Sequence, residues 1–157
     1  MDKTVLTREE IESLPGVDKV HFLNPAAKRN NRSLGDLTGL EHIGFHLVEV
    51  QPGDFSTETH RHYYEEECVY ILSGQAEAVV GDRTFQVKGG DFLGYRAGGD
   101  AHCLRNNGAE ILRFIVVGQR LEHDVADYPR LGKRLFRNRG RRWNLVDIDA
   151  IVEPDRG

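Results

Sequence analysis

The sequence predicts an all-β domain, a sandwich or barrel of short strands. Seven short apolar runs lie between residues 42 and 118, turn signals separate them, and no long helical pattern intervenes. The runs are HIGFHLVEV (42–50), EECVYILSG (66–74), AEAVVG (76–81), RTFQVK (83–88), DFLGYR (91–96), HCLRN (102–106) and EILRFIVVG (110–118). Pro52-Gly53, Ser73-Gly74, Gly81-Asp82, Gly89-Gly90, Gly98-Gly99 and Asn107-Gly108 punctuate them, and Gly81-Asp82 marks a two-residue hairpin.

Ahead of this region a short helix is expected. Thr7 and Glu10 fit a capping box, Leu6 and Ile11 fit the hydrophobic staple around it, and Pro15-Gly16 stops it. Residues 24–39 are polar and rich in turn formers, and read as a loop leading into the core. After residue 119 the strand rhythm fades. Residues 133–143 hold six basic side chains in eleven, expected to be a solvated and partly mobile tail, because charges without a recognition fold bind polyanions weakly. The final WNLVDIDAIVEPDRG suggests an edge strand or a docked segment.

Composition bounds the function. The 157 residues suit one domain, and 39% hydrophobic against 29% charged residues suits a folded core rather than a disordered chain. A net charge of −4 argues against a nucleic-acid-coating protein. No apolar run is long enough to span a membrane, and the N-terminal segment lacks the apolar stretch of a secretory signal. Two cysteines make no disulfide framework, so a reducing compartment, the cytoplasm, is expected.

The segment GDFSTETHRHYYEEECVYILSG (53–74) carries the chemistry. His60 and His62 alternate, so on a strand both imidazoles share a face. A turn after them returns the chain with Glu67 beside them, and His102 begins a later strand. Three imidazoles and a carboxylate suit a divalent first-row metal such as Mn, Fe, Co, Ni, Cu or Zn, with coordination positions to spare. The plainer reading is two histidines decorating a half-exposed strand beside a solvated Glu65–Glu67 turn.

Two motifs decide between these. Segment 53–74 resembles the first motif of the cupin superfamily: glycine, H-x-H, a short interval, glutamate, six residues and a glycine, here Gly74. Six residues separate Gly53 from His60 where the motif has five. GGDFLGYRAGGDAHCLRN (89–106) resembles the second motif through Gly99, His102 and Asn106, with its proline replaced in the Arg96-Ala97 region and its loop one residue longer. The likeness runs from about residue 34 to about residue 130, including features of a bacterial subgroup of small single-domain cupins.

The resemblance implies a double-stranded β-helix, the jelly-roll barrel, with a short N-terminal helix and a C-terminal extension. Residues 1–40 are then helix and lead-in loop, 41–120 the barrel core and 121–157 the extension. It implies one divalent transition metal (Zn, Fe, Mn, Ni or Co) held by His60, His62, Glu67 and His102, with strands 42–50 and 110–118 lining the interior, and a homodimer. His46, facing inward with Val48 and Val50, is then a general base or a hydrogen-bond donor to the site, or else a histidine satisfied by a backbone carbonyl. Cys68 and Cys103 each follow a ligand by one residue and point to the opposite face, where they pack as small hydrophobes. The expected function is a metal-dependent enzyme on a small polar, carbohydrate-like or sugar-phosphate molecule, of isomerase or epimerase type, with His46 or Glu67 moving the proton. An Fe(II) dioxygenase and a non-catalytic small-ligand sensor fit the same residues, and an interaction protein using the basic run is the third class.

Overall fold

The structure, a computed structural model, describes residues 3–155. A helix, α1 (Arg8–Ser13), opens the chain. Its capping box is formed: the Thr7 hydroxyl accepts from the Glu10 amide, and the Glu10 carboxylate accepts from the Thr7 amide at 2.8 Å. There follow β1 (Val17–His21), β2 (Asn24–Ser33), the one-turn helix α2 (Leu34–Leu37), β3 (Ile43–Val50), β4 (Arg61–His62), β5 (Glu67–Ser73), β6 (Gln75–Val80), β7 (Arg83–Lys88), β8 (Phe92–Tyr95), β9 (His102–Arg105), β10 (Leu112–Gln119), β11 (His123–Tyr128), β12 (Lys133–Asn138) and β13 (Asn144–Asp147).

The strands form three sheets. Six lie in the order β1-β2-β3-β10-β5-β8, four in the order β13-β12-β11-β4 and three in the order β7-β6-β9. The closed barrel expected from the resemblance is therefore not formed. Isolated bridges join the sheets where a continuous ladder would close them, at Ala27–Phe55, Phe55–Arg105 and His60–His102. The cause lies in the stretch 51–60, where Pro52, Gly53 and a run of short polar residues break the ladder pattern. That stretch instead follows β9 through separate hydrogen bonds, such as Ser56 N–H to the Leu104 carbonyl at 2.8 Å and His102 N–H to the His60 carbonyl at 2.8 Å.

Residues 24–33, expected as a loop, form a ten-residue strand paired with β1 on one side and β3 on the other. Two antiparallel neighbours satisfy its backbone, so pairing rather than apolar alternation makes it a strand. The basic run is likewise ordered. In β12, Arg134 pairs with Asp127 and Arg137 with Glu65, while Lys133 and Arg139 pair with Asp147 and with Glu41 and Glu122. The mobile tail expected there is overturned because opposite charges on neighbouring strands and loops hold it.

The core packs the six-stranded sheet on the three-stranded one. Val48 and Val50 of β3, Val69 and Ile71 of β5, and Leu112 and Phe114 of β10 meet Ala76 and Ala78 of β6 and Leu104 of β9. Burying each large aliphatic side chain contributes about 1.5–3 kcal/mol. Asn106, fully buried, ties one end: its amide donates to the Val50 and Glu110 carbonyls, each at 2.8 Å, and its Oδ1 accepts from Gly108 N–H. A smaller core of Ala126, Tyr128 and Leu135 belongs to the four-stranded sheet. Both cysteines are free, and among the described residues no helix is long and apolar enough to cross a membrane.

The predicted hairpin is present, with Val80 opposite Arg83 across Gly81-Asp82. Gly74 is the more demanding glycine. Its φ is +83°, and a Cβ there would lie 2.9 Å from both the Ile111 carbonyl oxygen and Leu112 Cα. Gly74→Ala is therefore expected to destabilise the protein by about 2 kcal/mol, lowering Tm by about 4–8 °C. A thermal melt unchanged within a degree or so would contradict the strain.

Candidate functional site

Strand alternation aims side chains of four strands into one cavity of about 280 Å³ between the sheets. His46 and Val48 come from β3, Glu67 and Val69 from β5, His102 and Leu104 from β9, Phe114 and Val116 from β10. His60 and His62 enter from the end of the 51–60 stretch and from β4.

The histidine tautomers follow from their partners. His60 Nδ1–H donates to the Glu58 carbonyl at 2.9 Å, His102 Nδ1–H to the Asp100 carbonyl at 3.3 Å, and His62 Nδ1–H to Asp124 Oδ2 at 2.6 Å. Each acceptor lacks a proton, so each ring holds its hydrogen on Nδ1 and its lone pair on Nε2. His102 Nε2 is buried without a hydrogen-bond partner, 3.6 Å from Glu67 Oε1. A buried ring nitrogen left without a donor or acceptor is what a metal would satisfy.

Ligand atoms of His60, Glu67 and His102 all lie within 4.8 Å of one another, a span close to the ~4 Å that separates donors on opposite sides of a bound ion. The protonation states suit a metal. Burial, followed by the neighbouring His62 and His102, pulls His60 down to about 3, so its ring is neutral. Burial pushes the Glu67 carboxyl up, but the adjacent His102 ring, with those of His60 and His62, outweighs it and holds the acid at about 2, so it is ionised.

His62 stands beside this trio, its ring edge-on to His60 at 4.9 Å between centroids. It belongs to a second potential ligand cluster, with Glu65 and Asp124. Both clusters have the donor chemistry for a divalent metal, but the second already has its cation. Arg137 pairs with Glu65 and lies 3.5 Å from Asp124 Oδ2, while Glu65 Oε1 also accepts from Leu121 N–H at 2.8 Å. Asp124 therefore serves to orient His62, leaving its Nε2 free. Burial lowers the His62 pKa, but the Asp124 hydrogen bond and charge outweigh it and set the pKa above the ordinary 6.5.

His46 occupies another wall. Its Nδ1 lies 2.8 Å from Ser33 Oγ, and the Asn31 amide donates to that same oxygen at 3.0 Å. Asp36 stands nearby, its carboxyl held below its usual range chiefly by Arg120 and in smaller part by Ser33. The Asn31 amide nitrogen also lies 3.3 Å from His46 Nδ1, so Ser33 and Asn31 together fix the plane of the ring through that nitrogen. Gly44 makes room for it: a Cβ there would stand 2.9 Å from His46 Nε2. Burial and the Arg120 charge lower the His46 pKa, so the ring is neutral near pH 7.

The remaining expectations divide. Cys103 is buried and accepts from the Thr59 hydroxyl at 3.2 Å, with its thiol pKa raised by burial, which makes it inert packing. Tyr95 lies face to face on His102, with ring centroids 3.5 Å apart and planes 4° apart. Asp124, Arg137, Ser33 and Asn31 were missed by sequence reasoning. The alternation in HDVADY, which puts Asp124, Ala126 and Tyr128 on one face, was the available signal for the first.

The family model for a cupin domain matches residues 46–118. The solved structure of a proposed sugar phosphate isomerase from Acidithiobacillus ferrooxidans is 48% identical, with a TM-score of 0.94, covering 98% of this chain and 97% of that one. A sugar phosphate isomerase of the cupin superfamily from Silicibacter pomeroyi is 26% identical, with a TM-score of 0.80 and coverage of 88% and 91%. An oxalate-binding protein of Thermotoga maritima is 28% identical over 116 residues, 71% of this chain and 86% of that protein.

Two measurements test the arrangement. Asp124→Asn, which keeps a hydrogen-bond acceptor but loses the charge, is expected to weaken Zn²⁺ binding about 10–100-fold in a chelator competition, while Cys103→Ala leaves it unchanged. Equal effects would mean that Asp124 does not orient a ligand. Zn²⁺ affinity is also expected to rise with pH through the His62 pKa, above 6.5, as that ring loses its proton. A flat profile between pH 5.5 and about 8 would exclude His62 from the ligand set.

Proposed function

The chain belongs to the cupin superfamily, and on that premise we propose that it is a metal-dependent isomerase or epimerase of a small carbohydrate-like substrate, a sugar phosphate in particular. The observation that carries the reading is the convergence, in one cavity, of a metal-ligand set and a separately oriented neutral histidine. His60, His62 and His102 through Nε2, with Glu67, would hold one divalent transition ion. When bound, that ion supplies Lewis-acid polarisation of the substrate's oxygen atoms.

The protein's own groups then divide the work. Glu67, ionised with a pKa near 2 among three imidazoles, is too weak a base for proton abstraction near neutrality, and serves as a ligand. His46 accepts the proton from the carbon next to the substrate carbonyl at Nε2 and returns it to the neighbouring position. Ser33 and Asn31 hold the plane of the ring, and the Asp36 carboxylate stabilises the charge it gains. Leu104, Phe114 and Val116 wall the cavity and limit the water that reaches the intermediate.

The similarity to an oxalate-binding protein favours a second reading, in which the same ion anchors a small dicarboxylate without turnover. The homodimer expected from the resemblance is supported by Tyr70, Leu72 and Phe92, exposed apolar side chains on β5 and β8.

Metal-loaded protein is expected to interconvert aldose and ketose phosphates and to exchange the carbon-bound hydrogen with D₂O. His46→Gln is expected to lower kcat about 100-fold or more at unchanged metal content. Oxygen consumption with a small organic substrate would replace the isomerase with a dioxygenase. Tight oxalate binding with no exchange across the panel would favour the binding protein. For the dimer, sedimentation velocity is expected to give a two-chain species that Phe92→Glu dissociates; a monomeric wild type would remove it.

A further inference from the structure

Four basic side chains line the cavity, and they differ in what they face. Arg120 pairs with Asp36, and Arg137 with Glu65 and Asp124. Lys19 and Arg29 have no such partner: among the described residues neither forms an ion pair. They also stand directly opposite one another where β1 pairs with β2. Side chains directly opposite on neighbouring strands share a face, and like charges in that position repel. Two adjacent cations are therefore held on the cavity wall without an ion-pair partner among the described residues.

Arg29 is moreover built in rather than loosely displayed. One guanidinium nitrogen donates to the Ser56 carbonyl at 2.6 Å, which fixes the plane of the group. Its Nε is buried and has no hydrogen-bond partner. Both cations reach the chemistry: Lys19 and Arg29 each act on the charge state of His46, and Arg29 feels the charge of Glu67 across the cavity. Lys19, exposed, sits at the mouth, and Arg29, half-buried, lies further in.

A fork of unspent N–H donors beside an ammonium is the usual arrangement for holding an oxyanion. We propose that Lys19 and Arg29 form an anion subsite of the cavity, binding the phosphate or carboxylate group of the substrate while its hydroxyl and carbonyl end reaches the His60–Glu67–His102 cluster. The identity of the substrate's other end rests on the isomerase reading; the anion subsite does not. Bound this way, the substrate is gripped at two points, and His46, which both cations influence, is presented with the carbon between them.

Calorimetric titration of the full chain, as purified, with inorganic phosphate at low ionic strength tests the subsite. Wild type is expected to bind, and Arg29→Gln to weaken binding about tenfold or more through loss of the fork. Lys19→Met, at an exposed position where folding is not at issue, is expected to weaken it about fivefold. His62→Ala, which impairs the metal-ligand set, is expected to leave phosphate binding intact. Absence of phosphate binding by wild type, or a loss in His62→Ala equal to that in Arg29→Gln, would overturn the proposal. Acetate binding more tightly than phosphate at the same two residues would keep the subsite and remove the sugar phosphate from the isomerase reading. Phosphate binding without isomerase activity would sink that reading alone.

Discussion

The protonation geometry of three imidazoles governs what this cavity can do. Each ring spends its Nδ1 hydrogen on an acceptor outside the cavity, a backbone carbonyl for His60 and His102 and a carboxylate for His62. Had any of them donated inward instead, its lone pair would face the scaffold and the ring could not ligate a metal from that side. The two carbonyls are fixed by the chain path next to the histidines themselves, since Glu58 and Asp100 each lie two residues before the ring they hold. Only His62 depends on a distant residue, and its support is the most elaborate. Asp124 also accepts from the Tyr64 and Glu65 amides and sits beside Arg137, so a charge buried at 2% exposure is hydrogen-bonded and compensated.

The same polar density separates the two walls of the cavity by role. The His60, Glu67 and His102 side carries the ionised Glu67 carboxylate beside the neutral His60 ring. The β1–β2 side is positive, through Lys19 and Arg29. A substrate carrying an anionic group at one end and oxygen ligands at the other has only one favourable orientation across such a field. His46, on β3 next to β2, stands between the two poles. Its neutral state follows from burial and from Arg120, while Ser33 and Asn31 fix the plane of the ring.

Much of this was legible in the sequence, and the failures share one cause. The strands of the packed core announced themselves through apolar alternation and glycine punctuation, and the Gly81-Asp82 turn through its residue types. The four ligand candidates were legible because H-x-H fixes a face on any extended segment and because the flanking glycines matched a known spacing. By contrast β2 was read as a loop, since its inward positions are Ala27, Arg29, Asn31 and Ser33, a mostly polar set that carries no hydrophobic period. Pocket walls are made of such residues, so the rule that finds cores is blind to them. Asp124 and Arg137 were invisible for another reason: they meet His62 and Glu65 across 62 and 72 residues of chain, and no local pattern encodes that meeting. Closure into a barrel was over-read, because one irregular segment, 51–60, was enough to replace a ladder with bridges.

The pairing of β4 with β11 and of β11 with β12 carries a consequence for biosynthesis. During translation His60, Glu67 and His102 emerge before Asp124, the carboxylate that orients His62, and before Arg137, the guanidinium that compensates it. A nascent chain therefore exposes the candidate ligand side chains before it has the means to fix the geometry of His62. Orientation of His62 is deferred until residues 124–137 have emerged, and a product truncated before residue 137 would leave the buried Asp124 without the Arg137 counter-charge.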